Sequence, residues 1–313
     1  MDFVKQRVKT VRPSFLSKKI NNFLARDIGL AINSNYEKKI IEELKGRAYP
    51  VGYFSYHFKR ENDLFDLALK AIFKADSLGK DIISGTLWAA DELSKAKGRF
   101  DRVWYAPLGG AYFVLALYPN LERSYWSLYS LAAGVAIAQV LREWGCRAGI
   151  RWINDVMVND KKIAGILTKT YQSPLSKQSY ILLGIGINVN TDFFPDSLPE
   201  ATSLYLETGK KWPIWDLTSH IIARLGWLIA LTEQWEAQLF KRLEGEKAPP
   251  NPLIYAWERC NFTLNRKIVF GYNLDISPEL TGIAHSLELD GSLNVLLDSG
   301  NLINLNSGEI RFL

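Results

Sequence analysis

The chain has 313 residues, of which 48% are hydrophobic and 23% charged, so it can bury a core and form more than one domain. Its two cysteines, Cys146 and Cys260, are too few for a disulfide framework. Neither they nor the three separated histidines have the spacing of a metal site. These counts exclude a disulfide-rich secreted domain and predict no metal site made of protein ligands alone.

Positive charge is concentrated at the start of the chain, although the net charge is only +5. The first 26 residues contain seven lysines and arginines and a single acid, Asp2. A solvated extension is favoured over a nucleic-acid contact, because residues 14–48 lack a helix-turn-helix pattern. The sequence has no apolar run of about 18 residues and no signal-peptide pattern. We therefore expect a cytoplasmic protein with no membrane or nucleic-acid partner.

The first third of the chain mixes helical and strand patterns. Residues 14–48 are predicted to be helical in pieces, and VGYFSY after Pro50 alternates like a strand. Asp63 to Ala75 has an amphipathic helical pattern, with Asn62 placed as its cap. DIISGTLWAAD and GGAYFVLALYP are apolar strands that flank the polar, breaker-rich segment ELSKAKGRFDRVW.

The remaining elements predict a sheet followed by a small β tail. Residues 124–144 form an apolar helix, and two strands joined at Asn159 and Asp160 form a hairpin. SYILLGIGINVN is a further strand, and a long amphipathic helix covers residues 215–243. After residue 267, short strands alternate with turns every eight to nine residues, as in a small barrel. We predict a mixed or antiparallel sheet with helices on one side, plus this all-β tail.

Several polar groups fall at the ends of predicted strands. Asn154 and Asp155 begin one strand of the hairpin, and Lys162 begins its partner, so these residues share one two-stranded ribbon. Each has a plain structural explanation when taken alone, as a turn former or a solvated lysine. Together with the segment Lys97-Gly98-Arg99, however, they indicate a site for a polyphosphate or a carboxylate.

Four collinear motifs resemble those of biotin protein ligases. RWINDVMVNDKKIAGIL is similar to the family signature KWPNDLYLNDRKLAGIL, and LLGIGINVN is similar to IGIGINVN. PEATSL and WYAPLGGAYFVLAL also resemble family motifs, and the tail resembles the family's small C-terminal SH3-like domain. The resemblance implies an α+β fold with a biotin/lipoate protein ligase-like mixed sheet, helices packed on it, and a C-terminal SH3-like small β-barrel. The implied division is a partly helical basic extension over 1–45, a catalytic domain over 46–262 and the SH3-like domain over 263–313.

The resemblance also implies a reaction and a set of residues. The family activates biotin with ATP as biotinyl-AMP and transfers it to a lysine of a carrier protein, with Mg²⁺ bound through the nucleotide phosphates. The catalytic positions map to Lys162, Arg99 and Asp155. The positions that contact ATP or the adenylate map to Asn154, Arg102, Trp104, Lys97 and Arg151. Those that contact the acid map to Asn62, Leu93, Gly98, Gly165, Ile166, Gly184, Gly186 and Asn188. The expected partner is a carboxyl-carrier acceptor domain. A homodimer is a candidate assembly, with GGAYFVLALY as the candidate dimer edge.

The sequence departs from the family pattern where the acid's head group would bind. The family's Asp-Ser-Thr-Asn phrase aligns with Lys59-Arg60-Glu61-Asn62, and the usual glutamine is replaced by Leu93. The Gly-Arg loop survives only as KAKGRFDRVW. Three functions stay open at this point: a divergent biotin protein ligase, an acyl-protein ligase or transferase for a lipoyl or fatty acyl group, and an inactive relative that binds a ligand or partner. A fourth, a DNA-binding repressor, has only the basic arm to support it.

Overall fold

The computed structural model describes residues 14–32, 44, 51–243 and 245–313. Its larger sheet has seven strands in the order β1-β2-β3-β7-β6-β5-β4. Strands β1 and β2 are parallel and the other neighbours are antiparallel, so the sheet is mixed, as predicted. The strands are β1 Ser55–Phe58, β2 Thr86–Ala90, β3 Ala111–Leu117, β4 Gly149–Arg151, β5 Asp155–Val158, β6 Lys161–Gln172 and β7 Ser179–Ile187.

Helices cover both faces of this sheet, which makes the prediction of helices on one side wrong. Residues alternate along each strand, so β3 points Phe113 and Leu115 into the core with the long helices α3 and α5. It points Tyr112 and Val114 to the opposite face, where α2 packs. The helices are α1 Ser14–Ile32, α2 Leu64–Ser77, α3 Ser127–Glu143, α4 Leu204–Thr208, α5 Ile214–Phe240 and α6 Pro252–Glu258.

Two helical segments, Arg123–Glu143 and Ile214–Phe240, are long and apolar enough to cross a membrane by length and composition. Most of each segment is buried inside the fold. A core helix of a globular protein passes the same test when it is apolar on most sides. We therefore interpret both as central packing elements of the core beside the seven-stranded sheet.

The C-terminal region forms a second, antiparallel sheet of five strands in the order β11-β10-β9-β8-β12. Glycines with positive φ occupy turns between its strands at Gly291, Gly300 and Gly308, where a left-handed backbone favours glycine. The arrangement is consistent with the predicted SH3-like barrel. The strands are β8 Lys267–Gly271, β9 Leu280–Leu287, β10 Leu293–Leu297, β11 Leu302–Leu305 and β12 Glu309–Phe312.

Three local predictions need correction. The strand predicted from Pro50 begins only at Ser55, after a turn. The cap of α2 is Asp63 instead of Asn62, because the Asp63 carboxylate accepts the hydrogen bond from the backbone N–H of Phe65. The candidate dimer edge is wrong, since β3 lies inside the sheet between β2 and β7. Apart from α1 and Leu44, the helical prediction for residues 14–48 lies outside the described residues.

Candidate active site

The β5–β6 hairpin places three charged side chains together. Its turn residues Asn159 and Asp160 have φ of 49° and 59°, as a tight two-residue turn requires. Past the turn, the strand register shifts so that Met157 faces Lys162 while Val156 faces Ala164. Such a bulge inserts one residue and changes which side chains share a face. As a result, the Lys162 side chain lies against Gly165, on the same side as Asp155.

Asp155 is the charged centre of the hairpin. Its carboxylate contacts the Lys162 ammonium at 2.5 Å and the Arg151 guanidinium at 2.8 Å. Burial raises the pKa of Asp155, but the positive charges of Lys162 and Arg151 outweigh this effect and hold the pKa below its usual value. Asp155 is therefore an ionised group that fixes the direction of the lysine.

The segment 97–104 forms the opposite wall of the site. The backbone N–H of Gly98 bonds to the carbonyl of Arg102 at 2.7 Å, and the short turn Arg99–Asp101 lies between them. Arg99 reaches across to the hairpin, where its Nη1 lies 3.4 Å from Oδ1 of Asn154. The amide nitrogen of Asn154 is held by the carbonyl of Ile166 at 2.9 Å. Arg99 thus connects the loop to the hairpin.

The C-terminal sheet holds this wall in place. Arg99 donates a hydrogen bond of 2.7 Å to the carbonyl of Gly308. Arg102 pairs with Glu309, and its Nε lies 2.8 Å from the carboxylate of Asp275. Sequence analysis did not identify these two acids, because no local pattern relates residues about two hundred positions apart. For Glu309, the only available indication was its place in the phrase at the end of the chain that resembles the family's C-terminal motif.

Trp104 joins the two walls across the sheet. Its ring lies against Gly165 and Gly186, where a side chain at Gly186 would come within 2.7 Å of the indole nitrogen. The Lys162 ammonium lies 5.4 Å from the centre of the ring, within the range of a cation–π contact. The two glycines are therefore required for the close approach of the indole.

The other end of the site is largely apolar. Phe65 lies against Gly184, where a side chain would come within 2.4 Å of the ring. Because Gly184 and Gly186 are two residues apart on β7, this position is about 7 Å along the strand from Trp104. Leu93, Ala96 and Tyr112 also line this part of the wall. The site therefore has a charged end at Lys162 and an apolar end at Phe65.

One cavity of about 520 Å³ connects these groups. Its walls include all but one of the predicted site residues. These are Leu93, Lys97, Gly98, Arg99, Arg102, Trp104, Arg151, Asn154, Asp155, Lys162, Gly165, Ile166, Gly184, Gly186 and Asn188. The exception is Asn62, which is exposed, lies outside the cavity wall and accepts a 2.7 Å hydrogen bond from Ser94. Its neighbour Asp63, which sequence analysis placed in the helix and not in the site, lines the cavity instead.

A model of the biotin/lipoate A/B protein ligase family matches residues 79–188. The bifunctional ligase/repressor BirA of Bacillus subtilis is 37% identical over 143 residues, a segment that covers 44% of this chain and 44% of that protein. BirA of Escherichia coli is 27% identical over 246 residues, covering 75% of this chain and 70% of that protein. The segment aligned with the Bacillus relative thus spans less than half of that protein.

Solved structures share the fold. The biotin protein ligase from Aquifex aeolicus in complex with biotin and ATP has a TM-score of 0.64 and 23% identity, covering 83% of this chain and 98% of that one. Residues 79–188 of this chain thus match the biotin/lipoate A/B protein ligase family. The chain has the mixed α+β fold of the biotin protein ligases. The predicted fold class is confirmed, and the predicted resemblance to the family is confirmed over residues 79–188.

Proposed function

We propose that this protein is an ATP-dependent biotin protein ligase, which forms biotinyl-AMP and transfers the biotinyl group to a lysine of a carrier protein. The observation that carries the proposal is the single cavity with cations at one end and apolar walls at the other. A hydrophobic acid can lie along the apolar part with its carboxylate directed to Lys162 and Arg99. The relatives are named as ligases, and the Aquifex structure holds biotin and ATP.

The first step joins two anions. A carboxylate oxygen of the acid attacks the α-phosphorus of ATP, a new O–P bond forms, and pyrophosphate leaves with the electron pair of the broken P–O bond. Lys162 and Arg99 face this reaction from opposite walls and reduce the repulsion between the carboxylate and the phosphate. Charges held in place before reaction are the most effective, because they need no reorganisation in the transition state. Asp155 and Arg151 supply that positioning for Lys162.

The second step forms the amide. The neutral amine of the acceptor lysine attacks the carbonyl carbon, the bond to AMP breaks, and the amine proton leaves to solvent. The lowered pKa of Asp155 favours a role in binding and orienting the incoming amine over strong basicity. Magnesium would enter bound to the nucleotide phosphates as part of the substrate. We place the enzyme in the cytoplasm, with a carboxyl-carrier domain as its acceptor and with no nucleic-acid or membrane partner.

Pyrophosphate exchange into ATP tests the proposal directly. We expect exchange that depends on biotin and Mg²⁺, and transfer of label from biotin to a purified carboxyl-carrier domain. Lipoate and octanoate serve as matched acids in parallel reactions. Exchange with one of these acids and none with biotin would replace the proposal by the acyl-ligase alternative. No exchange with any acid would favour an inactive relative.

A further inference from the structure

The two oxygens of the Asp63 carboxylate have different surroundings. Asp63 stands at the start of α2 and lines the cavity, and its side chain is only 4% exposed. Its Oδ1 accepts the backbone N–H of Phe65 at 2.7 Å and so caps the helix. Its Oδ2 is buried and has no hydrogen-bond partner among the residues that the structure describes. The nearest cation is the Lys97 ammonium, 3.9 Å away. Oδ1 therefore stabilises the start of the helix, and Oδ2 is available to a ligand.

An unpaired buried oxygen of this kind needs a physical explanation. Most buried polar side-chain atoms in folded proteins have a hydrogen-bond partner, and exceptions often mark a place where a missing molecule binds. A carboxylate has no proton to donate when ionised, so it can only accept. The molecule that satisfies Asp63 Oδ2 must therefore bring an N–H or O–H group into the cavity.

The position of Asp63 shows which part of a bound acid would meet it. Asp63 lies two residues from Phe65, which covers Gly184 at the apolar end of the cavity. Lys162 lies against Gly165 at the charged end. A carboxylate and a phosphate that bind between Lys162 and Arg99 leave the distal head group of the acid to reach Asp63. Its negative charge also disfavours an anion at this end.

We propose that Asp63 Oδ2 accepts a hydrogen bond from an N–H of the acid's head group. This contact makes the cavity select an acid whose head is a cyclic urea over one that ends in a hydrocarbon or a disulfide ring. The inference rests on the proposed function and specifies its substrate class. It also supplies a replacement for the hydroxyl groups that the sequence lacks at residues 59–62 and for the amide that is replaced by Leu93. A head without an N–H would leave the buried oxygen unpaired, and sites of this type discriminate strongly against such analogues.

Asp63→Asn is the most informative substitution. Asparagine is as good a helix cap as aspartate and keeps an oxygen for Phe65, but it replaces the accepting Oδ2 by a donating NH₂ group. Asp63→Ser keeps the cap and removes the second polar atom. Asp66→Asn makes the same chemical change one turn along α2 at an exposed position and is the matched control. Biotin affinity of the full-length protein is measured by calorimetry, and KM values for biotin, octanoate and ATP are measured by pyrophosphate exchange.

We expect Asp63→Asn to weaken biotin binding by roughly 10- to 100-fold, as for loss of a hydrogen bond to a charged group. Asp63→Ser should lose somewhat less biotin affinity, because it places no NH₂ donor at the position of Oδ2. The KM values for ATP and octanoate should stay within roughly two-fold of wild type. The unfolding temperature should stay within about two degrees. Asp66→Asn should match wild type throughout.

Three results would overturn the inference: unchanged biotin affinity in Asp63→Asn, equal losses for all acids, or a rise confined to the KM for ATP. The last would mean that Asp63 acts by positioning Lys97. Wild-type protein that fails to bind biotin would also overturn it. Wild-type protein that binds biotin through Asp63 but gives no exchange would refute the proposed function alone, so the two failures can be told apart.

Discussion

The two charged walls of the cavity are built differently. On the hairpin wall, Asp155, Arg151 and Lys162 belong to neighbouring strands of one sheet and hold each other by contacts of 2.5 and 2.8 Å. On the loop wall, Arg99 is held by Gly308, and Arg102 is held by Glu309 of β12 and by Asp275, which lies between β8 and β9. The hairpin charges are therefore fixed by local strand pairing, whereas the loop charges depend on contact with the second sheet.

This difference indicates how each wall should respond to change. A site whose charged groups are held rigidly before the substrate binds loses most of its activity when one of those groups is removed. A wall held by a neighbouring sheet should respond instead when that contact is weakened, and it should do so mainly in nucleotide binding. Three predictions compare the two walls, starting with the largest expected effect.

Lys162→Ala should lower kcat for pyrophosphate exchange by roughly 100- to 1000-fold, the range found for loss of one preorganised group. The reason is that, in the proposed mechanism, Lys162 is the cation that the hairpin directs at the reacting atoms. Lys161→Ala is the matched control, because Lys161 is the exposed neighbour on the same strand. Turnover of the two variants should differ by that factor while their unfolding temperatures stay similar. Equal turnover would remove Lys162 from the reaction.

Asp155→Asn should reduce the free energy of unfolding at pH 7 by about 1–3 kcal/mol, since it removes the acceptor that two cations share. The folded-state pKa of Asp155 is lowered below 3.8, so its contribution is complete above that value. The contribution is lost as the pH falls through the lower, folded-state pKa. The difference in free energy of unfolding between wild type and Asp155→Asn should therefore decrease as the pH falls below 3.8. Urea unfolding between pH 7 and pH 3 measures it.

Asp298→Asn is the control for this titration, because Asp298 is 74% exposed and its nearest cation, Lys267, is 3.8 Å away. Its free energy of unfolding at pH 7 should match that of wild type, because an exposed ion pair contributes little to stability. A constant difference between wild type and Asp155→Asn down to pH 3 would mean that the lost interaction does not depend on the carboxylate charge.

Local patterns in the sequence predicted the hairpin wall well. The alternation of VMV and the Asn159-Asp160 turn specify the two strands, and the charged residues follow from their places at the strand ends. The bulge in β6 was not predicted, because it depends on how β5 and β6 pair and not on the residues of either strand. It nevertheless decides that Lys162 shares a face with Gly165.

The loop wall and the apolar end were less predictable. Sequence alone could not relate Arg102 to Glu309, because 207 residues separate them and the contact forms only when the two sheets meet. At the start of α2, Asn62 and Asp63 are both favoured cap residues, so composition could not choose between them. The fold selects Asp63, and this choice turns Asn62 outward and brings a carboxylate to the cavity.

Glu309→Gln should have the smallest effect. The substitution keeps the size of the side chain and one acceptor but removes the charge that pairs with Arg102. Arg102 is partly exposed and keeps its contacts with Asp275 and Asn273, so the loss should be at most about 1 kcal/mol, or roughly five-fold. We expect this loss as a higher KM for ATP with kcat and the KM for biotin unchanged.

Glu279→Gln is the matched control, since Glu279 immediately precedes β9 of the same sheet, is exposed and accepts a hydrogen bond from the backbone N–H of Tyr272 instead of contacting the loop. The difference between the two variants should decrease at high salt, because exposed charges are screened. A lower KM for ATP in Glu309→Gln would have the opposite meaning. It would show that Glu309 competes with the nucleotide for Arg102, so that the C-terminal sheet restrains the loop wall in the free protein and releases it when ATP binds.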